Sequence, residues 1–196
     1  MQIQDNIWND KNLIKILKKD GIVVMPTDTI YGMVGRAESK SVVERIYRIR
    51  NRDINKPCII LIGEKSELKK FSINLSEEQK EVLEKYWSFV SIQDLWPTSI
   101  VLDCPEEKFT YLHRGTKTLA FRLPAPEGLR ALLLQVGPLI APSANTEKFP
   151  ASENVEDAKK YFGDLVDLYM DGGTLFGKAS RIIKLHKNGS VSIIRQ

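Results

Sequence analysis

The chain has 196 residues, with 29 Lys and Arg against 25 Asp and Glu, a formal net charge of +4 and 42% apolar residues. That balance fits one folded domain and excludes a disordered chain, which would lack the apolar surface to offset the entropy of ordering. The longest apolar runs, at 22–25 and 58–62, fall far short of the ~20 residues that span a bilayer, so no membrane segment is expected.

The first ten residues are polar and mixed in charge, so neither a secretory nor a transit leader is expected, and the expected address is the cytoplasm. Leu13, Ile14, Ile16 and Leu17 then fall at helical spacing and predict a helix over 11–19. The β-branched run between Gly21 and Pro26 predicts a buried strand that ends where proline removes a ladder donor, with a polar loop after it. Val42, Val43, Ile46 and Ile49 share one face of a helix over 41–49, with Ser39 or Ser41 as its N-cap, and 57–62 reads as the next strand. A helix over 76–86, strands at 100–102 and 118–122, and a short helix over 128–135 closed by Gly137-Pro138 continue the alternation. Residues 139–141 re-enter the sheet, 155–161 form a helix and 166–170 a strand. Residues 181–185 and 191–195 make a terminal hairpin around Asn188-Gly189. No repeat and no Pro-, Gly- or Ser-rich linker divides the chain, so one mixed-sheet α/β domain over 1–196 is expected.

Cys58, Cys104, His113 and His186 are too dispersed for a zinc site or a disulfide scaffold, and both histidines read as surface residues. Residues 172–178 fit G-x-x-x-x-G-K, yet Ala179 follows where a P-loop needs a hydroxyl for magnesium, and Arg181-Ile182-Ile183 predicts a strand where it needs a helix. G-x-G-x-x-G, G-x-S-x-G and H-E-x-x-H are absent, and Trp87, Trp96 and the tyrosines lack the paired aromatics of an RNA-recognition sheet. A pI near 9.0 suits a polyanion, which could as well be a nucleotide as a nucleic acid.

Polar segments placed after predicted strands remain, where open α/β sheets put their ligands. Pro26-Thr27-Asp28-Thr29-Ile30-Tyr31-Gly32 leaves the first strand, and turn chemistry accounts for it as well as ligand binding does. Arg48, Arg50, Arg52 and Lys56 gather at the end of a helix, where cations complement its dipole or bind a polyphosphate. Arg50 and Arg52 can converge on one phosphate chain only if the helix ends by about Arg50, with Asn51 as the break. Leu139-Ile140-Ala141-Pro142-Ser143-Ala144-Asn145, Asp171-Gly172-Gly173, Ser180 and Arg195 complete the set.

With Thr118-Leu119-Ala120-Phe121-Arg122-Leu123-Pro124 and the closing Ile193-Ile194-Arg195, these segments in order resemble the YrdC/TsaC family of L-threonylcarbamoyladenylate synthases, from about Gly21 onward. The resemblance implies a YrdC-like fold, a twisted open mixed sheet flanked by helices. It implies synthesis of threonylcarbamoyl-AMP and pyrophosphate from L-threonine, bicarbonate and ATP, the first step of N6-threonylcarbamoyladenosine formation in tRNA. Magnesium would arrive with ATP, and tRNA or other double-stranded RNA and downstream tRNA threonylcarbamoyl transferase proteins would be the macromolecular partners. Carried over by resemblance, Thr29, Arg122, Ser143 and Ser180 would contact threonine, and Arg50, Arg52, Lys56, Thr118, Asn145 and Arg195 would contact ATP. Arg50, Arg52, Ser143 and Asn145 would carry the catalysis, chiefly by positioning and cationic stabilisation. Arg50 stands where the family usually has Lys, and Trp96-Pro97-Thr98-Ser99 lacks the Gly-Pro of the family's Trp-Pro-Gly-Pro. Ser180-Arg181 replaces a Ser-Thr pair, and Leu61 stands where longer members have His. The chain stops at Gln196, so it resembles the short, single-domain form. An RNA-binding or ribosome-associated module of the same fold is the alternative. Carbamoyl transfer in metallocofactor maturation is less favoured, since no acylphosphatase-like or zinc-finger segment is present.

Overall fold

Asp10 caps the first helix, its carboxylate accepting a hydrogen bond from the Leu13 amide at 2.8 Å, and α1 (Lys11–Lys18) buries Leu13 and Leu17. This computed structural model describes residues 5–88 and 96–196; residues 1–4, part of the stretch read above for a leader, lie outside them. β1 (Val23–Pro26) is buried along its length and turns into β2 (Tyr31–Arg36), pairing antiparallel from Val23 with Val34 to Pro26 with Tyr31. The sequence reading expected only a polar loop after Pro26. Gly32 and Gly35 hide β2 by interrupting its apolar pattern, yet they are what lets it pack. A Cβ at Gly35 would lie 2.4 Å from Val42 Cγ1, and one at Gly32 would lie 3.1 Å from Thr27 Cγ2.

α2 (Lys40–Ile49) starts after Ser39, whose hydroxyl bonds Asp20 instead of capping the helix. It ends as the sequence predicted, with Asn51 left-handed at φ 49°. The Arg52 amide donates to the Tyr47 carbonyl at 3.0 Å and the Asn51 amide to the Arg48 carbonyl at 3.1 Å, the paired bonds of a Schellman stop. The chain continues through β3 (Ile59–Leu61), α3 (Glu77–Tyr86) with a Ser76–Gln79 capping box, and β4 (Thr98–Asp103). α4 (Thr110–His113), β5 (Thr118–Arg122), α5 (Glu127–Val136) and β6 (Leu139–Ile140) follow. α6 (Val155–Phe162), β7 (Leu168–Tyr169), β8 (Arg181–Leu185) and β9 (Val191–Arg195) complete the chain. The last two form the expected hairpin, with Gly189 at φ 78°.

The strands form one mixed sheet in the order β7-β1-β2-β6-β3-β5-β4-β8-β9. Parallel pairing joins β1 to β7, β3 to β5 and β4 to β8. Strand alternation sends Val23 and Met25 to the face covered by Leu13, Leu17, Leu129 and Leu133, and Ile22 and Val24 to the face covered by Val43, Ile46 and Phe162. Helices therefore cover both faces, and ligands are left the ends of the strands. No helix among the described residues is long and apolar enough to cross a membrane.

One histidine differs from the sequence reading. His113 is 1% exposed, not on the surface. It lies at the end of α4, its Nδ1 accepting from the Gly115 amide at 3.1 Å, while Nε2 has no hydrogen-bond partner among the described residues. Its polar sequence neighbours form a turn that folds back over it, with the Thr116 amide and hydroxyl both donating to the His113 carbonyl. His186 is half-buried in the hairpin, with Nε2 2.8 Å from the Ser192 hydroxyl.

Candidate active site

A cavity of about 370 Å³ opens where the β1–β2 turn, the chain entering β3, the end of β5, the loop after β6, the start of β8 and the end of β9 converge. Thr29, Arg52, Arg122, Ser143, Asn145, Ser180 and Arg195 all line it, brought together from six separate parts of the sequence.

Arg122 is the most tightly held. Its Nη2 lies 2.8 Å from Asp28 Oδ1, and its Nε lies 3.2 and 3.1 Å from the two carboxylate oxygens. The side chains are 4% and 5% exposed. The fork is thereby fixed with Nη2 3.3 Å from the Thr29 hydroxyl and Nη1 3.5 Å from the Ser180 hydroxyl. Ser180 in turn shares a 2.8 Å hydrogen bond with Ser99 on β4, and its carbonyl accepts from Arg195 Nε at 3.2 Å and Nη2 at 2.7 Å. Burial and repulsion from Arg122 both push the Arg195 guanidinium below its usual range.

Arg52 donates from Nε to the Lys56 carbonyl at 3.1 Å and from Nη2 to the Pro57 carbonyl at 3.0 Å, so its charge is pre-positioned on the cavity wall. Asn145 donates to the carbonyls of Thr146 and Phe149, both at 2.8 Å, which pins the loop after β6.

Three of the ten sequence-predicted residues are not on this wall. Arg50 turns inward, 2% exposed, donating from Nε to the Ser143 carbonyl at 2.8 Å and from Nη2 to the Ser143 hydroxyl and Asn145 Oδ1, each at 3.3 Å. The expectation that Arg50 and Arg52 face one phosphate chain together is corrected accordingly. The helix does stop at Asn51, but Arg52 lines the cavity while Arg50 is buried against Ser143 and Asn145. Burial, then repulsion from Arg52, lowers the Arg50 guanidinium to about 10, so it stays charged at neutral pH. Lys56 is drawn aside into a 2.8 Å ion pair with Glu147, which also accepts from the Asp53 amide. Those contacts hold the Glu147 carboxyl below its ordinary value, the Lys56 hydrogen bond most of all. Thr118 sits at the opposite end of β5 from Arg122, about 13 Å away along the strand, with its hydroxyl bonded to Thr116.

Sequence reasoning gave no role to Asp28, Tyr31 or Ser99. The first two lie inside the quoted Pro-Thr-Asp-Thr-Ile-Tyr-Gly segment, and Ser99 closes the Trp96-Pro97-Thr98-Ser99 segment, which stands out in the sequence only for its departure from the family motif. The Tyr31 hydroxyl accepts from the Gly172 amide and donates to the Gly173 carbonyl, both at 2.8 Å, and so holds the start of the 172–178 segment against the β1–β2 hairpin. Contact there is close: a Cβ on Gly177 would lie 1.7 Å from the Thr29 carbonyl oxygen. That segment is irregular and leads into β8, and Lys178 rests 5.7 Å over the Trp96 ring. It has neither the helix nor the lysine placement of a P-loop. Among the described residues no group of three or more His, Cys, Asp or Glu side chains could hold a metal ion.

The arrangement resembles known proteins across the whole fold. The profile of the Sua5/YciO/YrdC family, described as telomere recombination, matches residues 15–196. A threonylcarbamoyl-AMP synthase from Pyrococcus abyssi is 27% identical over 91% of this chain, which spans 51% of that relative's length. A crystal structure of P. abyssi Sua5 complexed with L-threonine superposes with a TM-score of 0.81 at 24% identity, covering 100% of this chain and 55% of that one. E. coli YciO superposes with a TM-score of 0.78 at 23% identity, covering 98% of this chain and 90% of its own. This chain spans about half the length of the P. abyssi relatives, and at these identities the superpositions speak to the fold. The family profile covers nearly all of the sequence: the chain is a member of the Sua5/YciO/YrdC family.

Proposed function

We propose that the cavity makes threonylcarbamoyl-AMP from L-threonine, bicarbonate and ATP, with release of pyrophosphate. The observation that carries this reading is the convergence of three guanidiniums, Arg52, Arg122 and Arg195, with the hydroxyls of Thr29, Ser143 and Ser180 around one cavity. In the proposed reaction the threonine amine takes up bicarbonate-derived carbon dioxide as a carbamate. A carbamate oxygen then attacks the α-phosphorus, and the bond to the β-phosphate breaks. The chemistry needs charge stabilisation and alignment more than a protein nucleophile, and the cavity offers the former. Arg122, flanked by Thr29 and Ser180, suits the threonine carboxylate, to which its Nη1 and Nη2 can donate from the end of the guanidinium that faces away from Asp28. Arg52 and Arg195 suit the phosphates, with Asn145 and Ser143 on the same cavity wall. Arg50 acts from behind the wall by fixing Ser143 and Asn145. Magnesium would be held by the triphosphate, since the carboxylate nearest Arg122, that of Asp28, is taken up by that arginine. The product would pass to a tRNA threonylcarbamoyl transferase. The name of the P. abyssi relative, and the threonine in the P. abyssi Sua5 crystal, agree with this reading.

The basic cluster over 45–56, the feature that favours RNA binding, is mostly engaged within the protein, although Arg48 and Lys56 are exposed. Arg45 pairs with Asp167, Arg50 is buried, Arg52 lines the cavity and Lys56 pairs with Glu147. The decisive assay is incubation with ATP, bicarbonate and labelled L-threonine. An AMP-linked labelled product and pyrophosphate, both requiring threonine and bicarbonate, are expected; ADP and inorganic phosphate as products would overturn the reading.

A further inference from the structure

The cavity wall mixes guanidiniums and hydroxyls with apolar groups such as Ile30, Pro57 and Ile182, and it includes Phe149, which remains 61% exposed. An exposed phenyl ring on a polar loop loses apolar burial, and here the loop is built to hold it in place. The Asn145 amide grips the Phe149 carbonyl at 2.8 Å, and the Phe149 amide donates to the Thr146 carbonyl at 3.1 Å. Asn145 is itself anchored by Arg50 at 3.3 Å, so the position of the ring is tied to the same network that fixes the Ser143 side of the wall. Tyr161 supports the ring from α6, with centroids 6.2 Å apart and planes tilted by 56°, and its hydroxyl donates to the Pro150 carbonyl at 3.1 Å. The rest of the ring surface is open.

We infer that Phe149 is the stacking platform for the purine base of a nucleotide whose phosphates lie against Arg52 and Arg195. A nucleotide is a planar aromatic base joined to a polyanion, and this cavity is lined by an exposed aromatic as well as by guanidiniums. Stacking on an aromatic ring requires no hydrogen-bonding partner for the base. The inference rests on the nucleotide reading of the cavity given above and adds the element that distinguishes a nucleotide from a bare polyphosphate.

The test compares equilibrium binding of ATP and of inorganic tripolyphosphate to the whole chain and to Phe149→Ala and Phe149→Trp variants. Phe149→Ala is expected to weaken ATP about five- to a hundredfold, the range of base–aromatic stacking, and to leave tripolyphosphate within about twofold. Phe149→Trp is expected to keep ATP affinity, and its added indole emission, relative to the parent chain, should be quenched by ATP but not by tripolyphosphate. Unchanged ATP affinity in Phe149→Ala would overturn the platform while leaving the nucleotide site intact. An equal loss for both ligands would also overturn it, since Phe149 would then be acting on the shape of the loop. A parent chain that binds neither ligand would overturn the nucleotide reading and the platform together.

Discussion

Replacing Asp28 with Asn should destabilise the protein more than any surface change, because it leaves the Arg122 guanidinium buried without its counter-ion. The two side chains are 4% and 5% exposed and make three N–O contacts between 2.8 and 3.2 Å. Opposite charges about 4 Å apart interact by about 4 kcal/mol at an effective dielectric of 20, and breaking a buried pair from one side typically costs about 3–5 kcal/mol. Asn keeps the shape and one acceptor, which should recover about 1 kcal/mol, so a net loss of about 2–4 kcal/mol is expected. For a chain of this size that is a fall in Tm of about 5–15 °C. Thermal melts of Asp28→Asn, Arg122→Met and the double variant test the argument as a cycle. The double variant should be more stable than the sum of the two singles, because removing both partners leaves no orphaned charge. A fall of less than about 2 °C in Asp28→Asn, with no coupling in the cycle, would mean that Arg122 is not held electrostatically and that the wall built on it is misread.

Arg52→Ala should cut pyrophosphate release about ten- to a hundredfold, since one charge-assisted contact is worth about 1.5–3 kcal/mol, with an unchanged melt; parent-like turnover would remove Arg52 from the phosphate site. Arg50→Lys, which keeps the charge behind Ser143 and Asn145, should retain turnover, whereas Arg50→Ala should lose at least about tenfold in rate and also melt earlier, because its buried acceptors lose their donor. Steady-state assays with melts separate the two effects. Lys178→Ala should leave ATP affinity within about twofold, because this lysine rests on an exposed Trp96 face; a loss of a hundredfold would restore the P-loop reading. Burial pushes the Asp167 carboxyl up, but hydrogen bonds from Arg45 and the Ile22 amide outweigh it and hold the group below its usual value. Its folded value is thus the lower one, so its contribution to stability is full above about pH 4 and is lost as pH falls through the folded value. Asp167→Asn should therefore lose less Tm between about pH 5 and pH 2 than the parent, by a small margin because both side chains are over a third exposed.

Local chemistry made much of this protein legible before its structure. The helix over 41–49 follows from apolar spacing, its end at Asn51 from the tolerance of asparagine for left-handed backbone, and the closing hairpin from Asn188-Gly189 between β-branched runs. The failure of the G-x-x-x-x-G-K segment as a P-loop was likewise readable from Ala179 and the strand residues after it. These features depend on residues a few positions apart, and the sequence carries them directly. Seven of the ten expected site residues do reach one cavity, because each lies at a strand end or in the loop beside one, and the sheet gathers those ends. What the sequence did not carry depends on which distant segments meet. β2 was unreadable because Gly32 and Gly35 answer to Thr27 and Val42 rather than to a strand pattern. The burial of His113 is set by the turn that folds over it, not by its polar neighbours in the chain. Arg50 and Arg52 looked equivalent in sequence, but only the folded chain could separate them. The turn at Asn51 presents Arg52 to the cavity, while the loop after β6 offers Arg50 a carbonyl, a hydroxyl and an amide oxygen that a buried guanidinium needs. Asp28 acquires its role in the same way. A carboxylate in a turn is ordinary until β5 brings Arg122 against it, and that meeting across 94 residues of chain is decided by strand order alone.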